Sequence, residues 1–114
     1  MQFTVVITEA PYGRERAYTA LRFALTALVE GHKVNMFLIQ DGVYVARKGQ
    51  SPGEFPSYLN YLEEAIKEGA NVKLCTPCSK ARGLKAEDFI AGPEMGAMPD
   101  LVRWVAESDK TVVF

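Results

Sequence analysis

Strand-like and helix-like segments alternate along the whole chain, which predicts an α/β fold: a parallel sheet with right-handed crossovers and helices on both faces. Three observations carry that prediction. Short β-branched apolar runs recur, first at Phe3–Ile7, with the continuous hydrophobicity of strands buried on both sides. Segments with helical spacing of apolar residues separate them. Glycines stand where those helices must stop, at Gly31 and Gly69.

The loop after the first strand runs through Thr8–Gly13, and Arg14–Glu30 reads as the first helix. Its polar residues Glu15, Thr19, Arg22, Thr26 and Glu30 form one narrow stripe. The remaining arc, including Ala17, Tyr18, Leu21, Phe23, Leu25 and Leu28, is wider than a surface helix needs. That excess predicts a second contact, most simply with another subunit. Val34–Ile39 is the second strand, and it ends in the loop signal Gln40-Asp41-Gly42. Tyr44–Pro56 is irregular, broken by Gly49, Pro52 and Gly53. Tyr58–Glu68 is the second long helix, with Leu59, Leu62 and Ile66 on one face. Val72–Leu74 is the third strand. Lys85–Asp88 suits a helical turn. Phe89–Met95 is a weak strand candidate interrupted by Gly92 and Pro93. Pro99–Glu107 reads as a helix with Leu101, Val102 and Val105 inward, and Lys110–Phe114 as the last strand.

The bulk properties bound the function. A length of 114 residues suits one domain over 1–114, and 48% hydrophobic residues suffice for a core. A net charge of −1 argues against direct nucleic-acid binding or attraction to an acidic membrane. Met1–Ile7 lacks the pattern of a signal peptide, and no apolar run reaches membrane-spanning length. The expectation is a soluble, cytoplasmic protein. Neither GxGxxG nor GxxxxGK[ST] occurs, so nucleotide binding has no motif support. Tyr44, Phe55, Tyr58 and Tyr61 crowd the middle of the chain, a pattern that fits core or subunit contact better than base stacking.

The chemistry concentrates at Cys75-Thr76-Pro77-Cys78, which holds both cysteines of the chain. In a reducing compartment such a pair suits redox chemistry, sulfur carriage or metal binding. Thr76 is placed to cap a short helix with Pro77 at its start, and Gly83 to close it. Both sulfurs then lie near a helix N-terminus, which favours the thiolate. A helix terminus contributes roughly 0.3–1 kcal/mol. Making the thiolate abundant near neutral pH needs about 2 kcal/mol, so Lys80 or Arg82 has to help. The alternative is that the cysteines are small buried hydrophobes. Metal binding within one chain lacks ligands, because structural zinc wants four and His32 sits on the opposite sheet edge as a solvated turn residue. Asp41 is either a plain turn residue or a carboxylate beside the site, serving as a hydrogen-bond acceptor or proton relay. Ligands in such folds bind beyond the carboxyl ends of strands, and the cysteines are on that edge.

The stretch from Val72 to Gly83 resembles the DsrE/DsrF-like, TusD-like sulfur-relay family, in which a strand ends in a cysteine, a short helix follows and an Arg-Gly closes it. Cys75, Arg82 and Gly83 occupy those places. Ile39-Gln40-Asp41-Gly42-Val43 is similar to the family's strand ending in Asp-Gly-Val, and Ser108–Phe114 to its closing segment. The resemblance implies a three-layer, Rossmann-like α/β/α domain with a five-stranded parallel sheet, assembled as homotrimers or hexamers. It implies that Cys75 accepts sulfane sulfur as a persulfide from a protein donor and passes it to an acceptor. No cofactor is expected, because the persulfide is itself the carrier. In this reading Thr76 and the following backbone N–H groups stabilise the sulfur anion. Arg82 adds positive potential or packs structurally, and Cys78 resolves the persulfide through a disulfide. TusD-like members manage with one cysteine, which leaves the role of Cys78 open. The competing classes are a thiol-disulfide oxidoreductase using Cys75 and Cys78, and a non-catalytic subunit that binds a ligand or partner at the same edge.

Overall fold

The computed structural model describes all 114 residues, Met1–Phe114. Five strands form one sheet: β1 (Gln2–Ile7), β2 (Lys33–Leu38), β3 (Asn71–Cys75), β4 (Glu94–Gly96) and β5 (Lys110–Val113). Their order is β4-β3-β2-β1-β5, and every pairing is parallel. The helices are α1 (Arg16–Val29), α2 (Tyr58–Lys67), α3 (Thr76–Ala81) and α4 (Met98–Glu107). Two 3-10 segments, Gln40–Ala46 and Ala86–Asp88, lie in the connections.

The layers follow from strand parity. Successive side chains point to opposite faces of a sheet. Phe3 meets Phe23 of α1 edge-on, at 5.4 Å between centroids, whereas the neighbouring Thr4 donates its hydroxyl to the Trp104 carbonyl of α4 at 3.2 Å. The helices α1 and α4 therefore cover opposite faces, giving three layers. On the α1 face, Val5, Ile7, Met36, Leu38 and Leu74 are each 1% exposed or less. The opposite face carries Thr4, Asn35, Phe37 and Lys73, and α4 itself contains no buried residue.

Two sequence expectations change. Much of the wide apolar arc of α1 is occupied within the chain, while Tyr18, Phe23, Leu25 and Leu28 stay partly exposed. Ala17, Ala20, Leu21, Ala24 and Ala27 are buried, Phe23 packs between Phe3 and Phe114, and Tyr18 packs against Tyr58 and Tyr61. The fourth strand begins after Pro93 rather than at Phe89. Gly92 takes a left-handed φ of 113°, which ends the preceding segment, while Phe89 bridges back to Arg47. The remaining elements match to within two residues, save that Gln40–Ala46 winds into a 3-10 helix where the sequence suggested only a turn. Gly42 explains the tightness there: a Cβ at this position would overlap the Ile7 carbonyl oxygen.

Candidate functional site

The carboxyl edge of the sheet brings β3, α3 and the 3-10 segment Gln40–Ala46 together. Cys75 is the last residue of β3 and, rather than Thr76, the N-cap of α3. Its Sγ accepts the Cys78 N–H at 3.2 Å. Thr76 is already helical, and its hydroxyl turns away to donate to the Gly96 carbonyl at 2.8 Å, fastening the site to β4. The one-residue offset arises because Cys75 keeps extended backbone (φ −62°, ψ 115°) as the strand's final residue, so its side chain is the one aimed at the free N–H groups.

Cys75 and Cys78 are bonded as a disulfide, with Cα atoms 5.3 Å apart, inside the usual range for such a bridge. The two sulfurs differ in surroundings. Cys75 is 8% exposed, whereas Cys78 is half-buried. The Cys78 Sγ accepts the Gln40 N–H at 3.2 Å. Gln40 holds a left-handed φ of 56°, unusual outside glycine, and that conformation accompanies the N–H aimed at the sulfur. Sequence reading missed Gln40, since a backbone donor leaves no mark in the side-chain pattern.

Asp41 and Arg82 come together. The guanidinium donates through Nε to Asp41 Oδ1 at 2.9 Å, and its Nη2 lies 2.9 Å from the same oxygen. Nη1 donates to the Cys78 carbonyl at 3.0 Å. Arg82 thus clamps α3 onto the 3-10 segment, and Asp41 holds the clamp. Lys80 is exposed and forms no ion pair. Ser79, fully buried, donates its hydroxyl to the Cys75 carbonyl at 2.9 Å and stiffens the first turn.

His32 lies at the amino edge, as expected, but it is not merely solvated. Its ring meets Phe3 edge-on at 5.3 Å, and its Nδ1 lies 2.9 Å from the terminal amine. No three His, Cys, Asp or Glu side chains gather anywhere in a metal-holding group.

Two N–H donors to sulfur, a disulfide and a clamped loop thus meet at the carboxyl end of β3. Residues 1–114 match the DsrE/DsrF-like family. The chain belongs to that family. An uncharacterized protein of Methanopyrus kandleri is 66% identical over 111 residues, covering 97% of this chain and 92% of the relative. Protein YchN of Escherichia coli is 31% identical over 115 residues, covering 99% of this chain and 98% of YchN. The crystal structure of YchN superimposes with a TM-score of 0.92 over 100% of both chains at 32% identity. A protein of unknown function from Methanobacterium thermoautotrophicum shares the fold, with a TM-score of 0.80 at 16% identity over 99% of this chain and 98% of its own. The DsrE-like sheet and its layers are therefore those the sequence resemblance implied.

Proposed function

We propose that this DsrE-like protein carries sulfane sulfur as a persulfide on Cys75 and passes it to a protein acceptor. The observation that supports the reading best is the placement of Cys75. It caps α3 at the carboxyl end of β3, accepts a backbone N–H and has a second thiol within bonding reach. The Cys78 N–H offers a negative sulfur a fixed donor, as hydrogen bonding to the charged form requires.

Loading is a sulfur transfer without net oxidation. The reduced Cys75 thiolate attacks the terminal sulfur of a donor persulfide; the new S–S bond forms as the donor's breaks, and the donor leaves as a thiolate. In unloading, an acceptor thiolate attacks the outer sulfur and returns Cys75 to its thiolate. Alternatively, the Cys78 thiolate attacks Cys75 Sγ, hydrosulfide leaves and the Cys75–Cys78 disulfide forms. That second route needs an external dithiol, which is oxidised as it reduces the bridge. Arg82 acts by holding Asp41 and α3 in register rather than by touching the sulfurs.

Intact-mass spectrometry of the reduced chain after exposure to a sulfane-sulfur donor tests the assignment. A one-sulfur adduct is expected in wild type and Cys78→Ser and is absent in Cys75→Ser. An adduct lost only in Cys78→Ser would overturn it. The disulfide also supports a second reading, a thiol-disulfide oxidoreductase. Rapid insulin reduction, with no sulfur adduct, would favour that alternative.

Assembly as a homotrimer or hexamer and residence in the reducing cytoplasm belong to the same proposal. No helix is long and apolar enough to cross a membrane. Met98, Val102 and Val105 recur along one side of α4 and are 57%, 60% and 42% exposed, which supports association through α4 rather than α1. Light scattering at low micromolar concentration should give a multiple of the 12.6 kDa chain mass, and a monomeric mass would refute the assembly.

A further inference from the structure

A concavity of about 630 Å³ opens between the start of α1 and the segment leading into the first residue of α2, and none of its lining residues belongs to the sulfur site. Its walls are aromatic. The rings of Tyr12, Tyr18, Tyr58 and Phe55 line it, with Pro52 and Pro56 beside them. The Tyr12 and Tyr58 centroids are 4.5 Å apart and inclined at 43°; those of Tyr18 and Tyr58 are 5.6 Å apart and inclined at 31°. Tilted in this way, the rings form a curved wall rather than a flat stack.

The wall is braced from within the chain. The Tyr12 hydroxyl donates to Gln50 Oε1 at 2.6 Å and accepts the Tyr58 N–H at 3.3 Å. The Gln50 amide nitrogen in turn donates to the carbonyls of Val45 and Arg47, both at 2.9 Å. Tyr12 also carries a left-handed φ of 73°, which a side chain of its size rarely adopts. A strained residue held this firmly in a pocket wall points to a function for the pocket.

Charge narrows the ligand. Glu15 is the one carboxylate lining the cavity, and its side chain has neither a capping hydrogen bond nor an ion pair. The neighbouring Arg14 faces Glu9 instead, at 3.9 Å. The same aromatic cluster already attracts one cation on its outer side, where the Arg22 guanidinium lies 5.5 Å from the Tyr18 centroid. Burial pushes the Tyr58 phenol up, and the Glu15 charge adds to that direction, so this ring stays neutral at physiological pH. Neutral aromatic faces beside a free carboxylate suit a cation clothed in apolar groups. An anion would meet Glu15, and an uncharged ligand would leave that carboxylate unused.

We propose that this pocket binds an alkylated ammonium ion, with its alkyl groups against Tyr12, Tyr18, Phe55 and Tyr58 and its charge toward Glu15. The probe is choline, set against 3,3-dimethylbutan-1-ol, which has the same shape without the charge. Amide NMR titration of the full chain should show saturable shifts in residues 12–18 and 52–58. Choline should bind at least about tenfold tighter than the alcohol. Glu15→Gln should weaken choline about fivefold and leave the alcohol unchanged. Phe55 is 75% exposed, so Phe55→Ala retains the fold and should also weaken choline about fivefold. Equal affinity for the two probes, unaltered choline binding in both variants, or no saturable shift would overturn the proposal. So would light scattering and protection data showing a second copy of the chain seated in the pocket.

Discussion

The two faces of the sheet are built from the same five strands and do different work. The face beneath α1 and α2 is dry: Val5, Ile7, Val34, Met36, Leu38, Val72 and Leu74 are each 4% exposed or less. The face beneath α4 mixes buried Val6 and Phe37 with a polar set and is partly open. Thr4 bonds to Trp104, Asn71 donates to Asn35 at 3.0 Å, and Lys73 reaches Asp100 at 3.1 Å while lying 5.4 Å from the Trp104 centroid. Val113 on this side is 59% exposed. No buried side-chain polar atom lacks a partner, so the polar face is satisfied rather than defective. The contrast separates two tasks. Hydrophobic burial under α1 and α2 supplies the stability. Directional bonds under α4 hold the strand that ends in Cys75 and the segment that Thr76 grips.

The largest break in that comparison should come from Leu62→Ala. Leu62 is fully buried between α2 and its neighbours, and its truncation should cost about 3–4 kcal/mol in denaturant unfolding. A loss below about 1 kcal/mol would remove the claim that stability resides on this face. Trp104→Ala comes next. The side chain is half-buried, meets Phe37 edge-on at 6.2 Å and lies under Lys73, so a cost of about 2 kcal/mol is expected.

Asp100→Asn sharpens the comparison through pH. The Ala97 N–H, at 2.8 Å, and Lys73 hold the Asp100 carboxyl below its usual range, against a smaller opposing effect of burial. A carboxylate depressed in the folded state stabilises above its unfolded pKa, and that contribution fades as pH falls through the folded value. Wild type should therefore exceed the variant in thermal stability at neutral pH, with the gap closing in acid below the ordinary carboxylate range. A gap independent of pH would mean that the charge is idle. The smallest effect belongs to Val102→Ser, which should shift monomer stability by less than about 0.5 kcal/mol because the residue is 60% exposed. If α4 packs against another copy, the same change should lower the oligomeric mass.

Periodicity made most of the fold legible, because strand and helix periods are local properties. What it could not show is how far one residue reaches another. The apolar excess on α1 reads as a subunit contact, yet part of it is met inside the chain, where Phe3 and Phe114 pack on Phe23 from opposite ends of the sequence. At the site, Cys75, Cys78, Asp41 and Arg82 were all legible as candidates, and the Asp41–Arg82 pair gives the two motifs a physical link. The exchange of capping roles between Thr76 and Cys75 was not legible. It turns on whether the strand continues for one more residue, which pairing with Gly96 decides. Inward assignments in α4 erred similarly: Val102 and Val105 face out beside the inward stripe of Leu101 and Trp104, because a single helix over a half-open face buries only a narrow arc.

The interior position of β1, between β2 and the edge strand β5, has a kinetic consequence. Its two neighbours are β2 and β5, and the second pairing is anchored by Gln2 and Asp109, 107 residues apart in the chain. At a translation speed of about 5–20 residues per second, one edge of Val5-Val6-Ile7 waits on the order of 5–20 s for its partner. Such late, non-local closure slows folding. Pulsed deuterium labelling during refolding should accordingly find the Phe114 amide, which donates to the Val6 carbonyl at 2.8 Å, among the last to gain protection. Until then one edge of β1 lacks its pairing partner, and an unpaired apolar strand edge is a template for pairing with other chains.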